Sequence, residues 1–437
     1  MNIKQFVIVC RTERKDDKIK RVSKFWNKDI WIPTHGNDGI QYLFYISFKT
    51  NRIIKWSVDI KEWVRHLRVQ FRSDGWIKSP ESEDHLLDRR IYNSFVLHNA
   101  IYSATEHCLY VFPISGNFFL RLPIESDDYD VLCESPYHVL CSTNSLNQNK
   151  IYYTSWNIHD SSQRNSTYDS IPLRVCQYDI NTKEFFTIKT IWGPDTIHQT
   201  YHCSASSSLL CVEMPIFTQV PINAKDPSPE DLKKVVQGGV CPSRLIYIKL
   251  REPDIIESFV DKGPAHITPA SSEADTVFVS CCNMSAASCF GPGRIDKYSL
   301  RSKPVHLASY EAGDLFRIPS VSSFQLNGES LLCAAVFPNQ VHIINADTMR
   351  LKDKIILSDT LSVPDFSRGP YRYPNYDKTP YTVLPISESP YIALCNIWSV
   401  RILDIRTGFI MEKLNFNKDR DPLITTGHSI MIDSYNG

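Results

Sequence analysis

Along this chain, short runs of alternating apolar and polar residues recur, broken by tight polar turns. In Ser399 to Leu414, SVRILDIRTGFIMEKL, two such runs flank Asp404-Ile405-Arg406-Thr407-Gly408. Apolar residues at every second position on both sides of a turn mark two paired strands with one buried face, a β-hairpin. The same figure fits six other places: YISFKTNRIIKW around Phe48, VFPISGNFFLRL around Ile114, QYDINTKEFFTI around Ile180, YIKLREPDIIESF around Leu250, KYSLRSKPVHLA around Leu300 and IINADTMRLKDKI around Ala346. Successive anchors lie 46 to 70 residues apart, the length of one four-stranded sheet with its loops.

Seven small antiparallel sheets in regular succession predict radial repetition, which protects sheet edges along a long all-β chain. The predicted fold is an all-β, seven-bladed β-propeller forming a single domain over residues 1–437. Each hairpin supplies the third and fourth strands of a blade, so two strands precede it. TYHCSA, SLLCVEM, RLIYIKL and IIESFV make one set, and PAHITPA, TVFVSCC, RIDKYSL and PVHLASY the next. YDVLC and YHVLCST are read as the opening strands of the blade around Ile180. The last blade is shared by the two ends, from about 4–58 plus 424–433: ITTGHSIMI is its first strand, followed by QFVIVC, QYLFYISF and NRIIKWSV.

In this scheme the connections within hairpins are short, and the long segments fall between second and third strands or between blades. These are 11–40, 60–93, 157–172, 214–243, 282–293 and 358–380. Both kinds leave a blade on the same face, so one face is predicted to be covered by long loops, the usual carriers of function. Ser79-Pro80-Glu81 and Ser228-Pro229-Glu230-Asp231 pair a capping hydroxyl with a proline at the first helical position. They predict two short helices in that cover.

Composition narrows the function. Lysine plus arginine equals aspartate plus glutamate, 48 each, with no long block of one sign. A nucleic acid or an anionic membrane surface as main partner is therefore not expected, since either needs a clustered basic footprint. The N-terminal MNIKQFVIVCRTERKDDKIK holds too short an apolar run for a signal peptide or a membrane span, so a cytoplasmic protein is expected. Thirteen cysteines, an odd number lying mostly inside apolar runs, imply no disulfide framework. Cys281-Cys282 with Cys289 lacks a second ligand pair and reads as structural.

No P-loop, GxGxxG, GxSxG, HExxH or CxxC signature occurs. The candidate chemistry is histidine: His98, His202, His266 and His428 all fall in predicted first strands, which line a propeller's central channel side by side. Converging neutral imidazoles make a nitrogen-only metal site suited to Fe(II), Cu or Zn. Glu213 is the first candidate to orient a ligand ring, with Glu134 and Asp275 behind it. The alternative is that each imidazole only satisfies its own hydrogen bonds beside a wet channel.

The passage YHCSASSSLLCVEMP, with His202 and then Glu213-Met214-Pro215, resembles the second histidine strand of carotenoid cleavage oxygenases, and Gly427-His428 is similar to that family's last ligand. The likeness is confined to these two segments; around His98 and His266 the sequence departs from the family pattern. The resemblance implies a seven-bladed propeller holding a non-haem iron through four histidines.

Three functions follow as expectations. The first is an iron(II)-dependent, oxygenase-like enzyme acting on a small, largely apolar molecule. Its metal ligands are His98, His202, His266 and His428, with His202 and His266 acting in catalysis. Tyr371, Arg372, Tyr373 and Tyr376 wall its substrate pocket. The second is a lyase or hydrolase using histidine as general base beside another divalent metal. The third is a non-catalytic interaction platform without a cofactor. The expected partner is a small-molecule substrate, and the expected state a monomer or weak homodimer.

Overall fold

Local structure begins with a turn motif that the sequence repeats. In the computed structural model, the turns 179–183, 345–349 and 404–408 share one geometry. The leading carboxylate or amide folds back onto the turn: Asp179 Oδ1 accepts from the Asn181 and Thr182 amides at 2.9 and 3.2 Å, and Asn345 Oδ1 accepts from those of Asp347 and Thr348 at 3.1 and 2.8 Å. Asp404 Oδ1 likewise accepts from the Arg406 amide at 3.0 Å. The fifth residue returns its amide to the first carbonyl, at 2.8, 2.9 and 2.8 Å for Lys183, Met349 and Gly408. That closure needs a left-handed backbone, φ 60°, 55° and 72° at these residues.

The second residue of each turn ties the hairpin to the rest of its sheet. Ile180, Ala346 and Ile405 are buried, and their amides donate to the carbonyls of Asn149, Ser330 and Pro390 at 2.8, 2.9 and 3.0 Å. Leu250 and Leu300 do the same toward Ser207 and Asp275 at 2.9 and 2.6 Å. One apolar residue after a polar one thus pins third and fourth strands to the turn joining the first and second.

The structure describes residues 6–10, 20–21, 31–32, 40–47, 52–59, 97–103, 105–113, 115–116, 118–123, 126, 128–132, 138–147, 149–157, 171–193, 196–214, 242–252, 256–262, 264–281, 293–313, 318, 320–336, 339–357, 382–386, 389–395, 399–415 and 425–432. Among these, all regular elements are strands, and no helix is long and apolar enough to cross a membrane, which says nothing of β-barrels.

Seven antiparallel sheets and one two-stranded ladder, Lys20–Arg21 with Trp31–Ile32, are present among the described residues. Sheet I runs Thr425–Ile432, Phe6–Cys10, Ile40–Ser47, Arg52–Asp59. Sheet II runs Leu97–Ser103, Cys108–Pro113, Phe119–Pro123, Asp130–Leu132. Sheet III runs His138–Asn147, Lys150–Asn157, Ile171–Asp179, Glu184–Gly193, with Ser115–Gly116 added beside its first strand. Sheet IV is Thr196–Cys203, Ser208–Met214, Pro242–Lys249, Ile256–Lys262, and sheet V is Pro264–Pro269, Thr276–Cys281, Gly293–Ser299, Val305–Gly313. Sheet VI is Ser320–Leu326, Glu329–Val336, Gln340–Asn345, Arg350–Ile356, and sheet VII is Thr382–Pro385, Tyr391–Cys395, Ser399–Asp404, Phe409–Asn415. In sheet I the pairing runs Phe6 to Ile432 and Ile8 to Ile430, so strands far apart in the chain share one ladder.

The chain divides into two compact units. The first, Met1–Lys20, Ile32–Asp195 and Asp419–Gly437, holds sheets I to III. Its core between sheets II and III is aromatic: Phe119 stacks on Phe112 at 4.7 Å and meets Tyr178 edge-on at 5.3 Å, above Tyr110 and Tyr153.

The second unit, Arg21–Trp31 with Thr196–Lys418, holds sheets IV to VII. Its apolar layers join consecutive sheets. In sheet VI, Leu331, Cys333 and Ala335 face sheet VII while Leu332, Ala334 and Val336 face sheet V. Burial on both sides is why LLCAAV reads as an unbroken apolar run, while the outermost strands alternate. First strands of neighbouring sheets are laced by side chains. Gln199 accepts from the Ile267 amide at 2.6 Å and donates to its carbonyl at 3.1 Å; Thr268 and Ser322 donate to the carbonyls of Val321 and Val383, each at 2.7 Å.

Two strand readings are corrected. YDVLC supplies Asp130–Leu132, the three-residue outer strand of sheet II, and the first strand of sheet III is His138–Asn147. VFPISGNFFLRL joins second and third strands of sheet II rather than third and fourth. Sheet II has a short fourth strand, so its outer hairpin leaves little apolar pattern to read. Both helical readings, at Ser79 and Ser228, lie outside the described residues, as do Tyr371, Arg372, Tyr373, Tyr376 and Glu134.

Candidate functional site

Antiparallel ladders break in a repeated way at the first strands. In sheet II, Leu97 pairs with Pro113 and Asn99 with Phe112, so His98 is an inserted residue. In sheet IV, Ile197 pairs with Glu213 and Gln199 with Val212, so His198 is inserted. In sheet V, Pro264 pairs with Cys281 and His266 with Ser280, leaving Ala265 inserted immediately before His266. In sheet I, Ile430 pairs with Ile8 but Thr425 with Cys10, so the irregular stretch 426–429 contains His428. Bulges bend a strand and re-aim its side chains, and they recur beside active sites.

All four irregularities lie where the second strand ends. In sheets I, IV and V the chain leaves that end into the long connectors 11–39, 215–241 and 282–292. His98 and His428 belong to the first unit, and His198 and His266 to the second.

His202 is placed differently. It pairs with Leu209 beside the short turn 204–207, at the opposite end of its strand. Tyr201 and Cys203 pack in the layer between sheets IV and V, so His202, buried, shares the other face with Thr200. Ile267 lies in that same layer, which puts His266 on the face of sheet V toward sheet VI. The two histidines predicted to act together therefore leave the layer from opposite sides. Glu213 stands in the ladder opposite Ile197. Asp275 is committed elsewhere, in an ion pair with Arg301. Among the described residues, no three His, Cys, Asp or Glu side chains are grouped to hold a metal.

Three further polar constellations occur. Between sheets V and VI, Tyr310 Oη lies 2.6 Å from His342 Nδ1, and His342 Nε2 lies 2.9 Å from Gln340 Oε1. With Nε2–H donating to the amide oxygen, Nδ1 accepts the phenol proton, so both ring nitrogens are used by the neutral form. Burial and then the Lys354 charge press the His342 pKa down to about 4, and burial lifts Tyr310 to about 12.

In the outer half of sheet V, buried Asp296 gathers a network. Its Oδ2 accepts from Arg294 Nε at 3.0 Å, Arg294 Nη2 at 2.5 Å and Cys281 Sγ at 3.4 Å. Its Oδ1 accepts from Ser309 Oγ at 2.6 Å, and His306 Nε2 lies 2.8 Å from that hydroxyl and 3.6 Å from Oδ1. Serine, histidine and aspartate meet here, but serine and carboxylate share one ring nitrogen. A proton relay needs them on opposite nitrogens. The arrangement holds a buried carboxylate and activates nothing.

In sheet II, Glu106 Oε2 accepts from Tyr110 Oη at 2.5 Å, Arg121 Nε at 3.1 Å and Cys108 Sγ at 3.4 Å. Burial alone would raise the Glu106 carboxyl; the Tyr110, Arg121 and Cys108 hydrogen bonds outweigh it and hold the carboxyl below its ordinary value. Burial, then Glu106, pushes the Cys108 thiol up to about 12.

Among the described residues every regular element is a strand, and the strands form small antiparallel sheets of the kind that propeller-like solved structures carry. No protein-family model matches it, and no curated protein does. Similar solved structures include the dihydro-heme d1 dehydrogenase NirN in complex with DHE, with a TM-score of 0.50 and 8% identity over 96% of this chain and 65% of that one. An oligogalacturonate lyase in complex with manganese superposes with a TM-score of 0.46 and 9% identity over 81% of this chain and 79% of that one. A nidogen/laminin complex does so with 0.38 and 11% over 75% and 98%. This chain thus spans 65% of the length of NirN.

Proposed function

We propose that the seven sheets are consecutive blades of one closed seven-bladed propeller, and that the chain is a metal-dependent enzyme acting on a small, largely apolar molecule. The observation that carries this reading is the position of His98, His202, His266 and His428, each on the first strand of a different sheet. In a propeller these strands face the channel, where side chains of distant sequence converge. Iron(II) with oxygenase-like chemistry is the leading assignment, and another divalent metal serving a lyase or hydrolase is the alternative. His98, His202, His266 and His428 would hold the ion, which would supply Lewis-acid chemistry, with Glu213 a candidate partner for a ring nitrogen. Tyr371, Tyr373 and Tyr376 would exclude water around an apolar substrate, and Arg372 would orient an acidic group on it. A cytoplasmic protein, monomeric or a weak homodimer, fits the reading.

Elemental analysis of protein purified without added metal tests it. Near-stoichiometric transition metal, lost in His266→Ala while the fold is kept, is the expected result; absence of metal from folded protein would sink the reading.

A second reading, a non-catalytic platform, draws on Phe409, Ile410 and Met411, three consecutive exposed apolar residues on the outer strand of sheet VII. Outer-strand patches of this kind suit a protein partner. Its expectation is retained activity in cells after His266→Ala but loss after Phe409→Ser with Met411→Ser.

A further inference from the structure

The geometry points to an acid-sensitive seam between sheets V and VI, in which protonation of His342 releases the outer strands Val305–Gly313 and Arg350–Ile356 from one another while the neighbouring layers stay closed. His342 is 3% exposed on the third strand of sheet VI. Along that strand Ile343 packs toward sheet VII and Ile344 toward sheet V, so alternation turns His342 to sheet V. There Tyr310, from the outer strand of sheet V, places Oη 2.6 Å from Nδ1, and Gln340 Oε1 lies 2.9 Å from Nε2.

Among the described residues, the charged side chains that face this ring are cationic. Lys354 is its direct cross-strand partner. Lys297, 8% exposed on the third strand of sheet V, crosses the layer to donate to the Ala346 carbonyl at 3.1 Å. The second strands contribute Phe278, Leu332 and Ala334, which carry no charge, and His266 faces the layer from its inner edge on the first strand. The nearby carboxylates point elsewhere. Asp353 pairs with Ile343 and so faces sheet VII, and Asp296 joins Cys281 on the opposite face of sheet V.

Protonation gives both ring nitrogens a hydrogen. Nε2 keeps Gln340, but Nδ1 turns from acceptor to donor and the Tyr310 phenol proton loses its acceptor. A third cation then joins Lys297 and Lys354, with no carboxylate bonded to the ring among the described residues. Parting the outer strands lets water take up the imidazolium, so proton uptake drives opening. The adjacent layers are laced by Gln199 on one side and Ser322 on the other, an amide and a hydroxyl that do not titrate in this range.

The test uses the intact chain and follows hydrogen exchange by mass spectrometry at pH 7 and 4.5, with protection corrected for the pH dependence of exchange in an unstructured chain. With the closed ring at about 4 and the open one near 6.5, protection of peptides covering 305–313 and 350–356 should fall by about 50-fold or more. Peptides covering 208–214 and 391–395 should stay within about threefold. His342→Gln removes the proton equilibrium and should hold 305–313 and 350–356 within about threefold between the two pH values. Tyr310→Phe is a second variant that keeps the ring and removes the phenol, so its loss of protection should begin at higher pH; circular dichroism checks that each variant is folded. Unchanged protection of the starting chain at pH 4.5, equal loss across 208–214 and 391–395, an acid-dependent loss that persists in folded His342→Gln, or an onset unmoved in Tyr310→Phe overturns the seam.

Discussion

His342 shows how a single residue couples this fold to pH. The ring is buried, with both nitrogens engaged by Tyr310 and Gln340 in its neutral form, and its pKa is pressed to about 4 by burial and Lys354. An unfolded histidine takes its proton near 6.5, so between that value and 4 the unfolded chain binds a proton that the native one refuses. This contribution to stability is complete above pH 6.5 and is lost as pH falls toward 4, worth about 3 kcal/mol across the window. Urea unfolding at pH 7 and 4.5 should show that slope, and His342→Gln should flatten it. Glu106 works at lower pH. Its carboxyl is held below the ordinary value, so its contribution is present above about 4.5 and fades as pH falls further. Glu106→Gln exchanges charge-assisted bonds from Tyr110 and Arg121 for neutral ones and should cost about 2 kcal/mol in chemical denaturation at neutral pH.

Hairpin turns are where sequence and structure agree best. Asp179, Asn345 and Asp404 announce their turns because a short polar side chain satisfies free amides locally, two for Asp179 and Asn345 and one for Asp404, and the residue after each is apolar because it docks into the sheet. Gly408 sits at φ 72° with Ile355 Cγ2 at 3.6 Å from where a β-carbon would lie, so room exists and only the backbone objects. Gly408→Ala should therefore lower stability by about 1 kcal/mol, read as a shift in the urea midpoint. Leu332→Ala, inside the layer between sheets V and VI, should cost about 2–5 kcal/mol. Less was legible where strands are short. The three residues of Asp130–Leu132 carry too little alternation to assign to one sheet or the next. Bulges were not legible at all, because an inserted residue leaves the local apolar pattern intact and appears only in the cross-strand register.

At the scale of the whole molecule, sheet I joins Thr425–Ile432 to Phe6–Cys10 through main-chain pairing. Chain lacking Thr425–Ile432 should melt several degrees lower, because Phe6–Cys10 loses the partner along one edge. The repeat of four strands was readable from the chain because each blade-sized unit solves the same burial problem. The proposed metal site was readable only as a set of residue types on first strands, since no local spacing links histidines that belong to different sheets. The proposed site requires that these imidazoles, and not the cysteines of the apolar strands, bind the metal. X-ray absorption of the zinc-loaded chain separates the two. A nitrogen shell at about 2.0–2.1 Å with outer scattering from imidazole rings is expected, and a sulfur shell at about 2.3 Å would overturn the site.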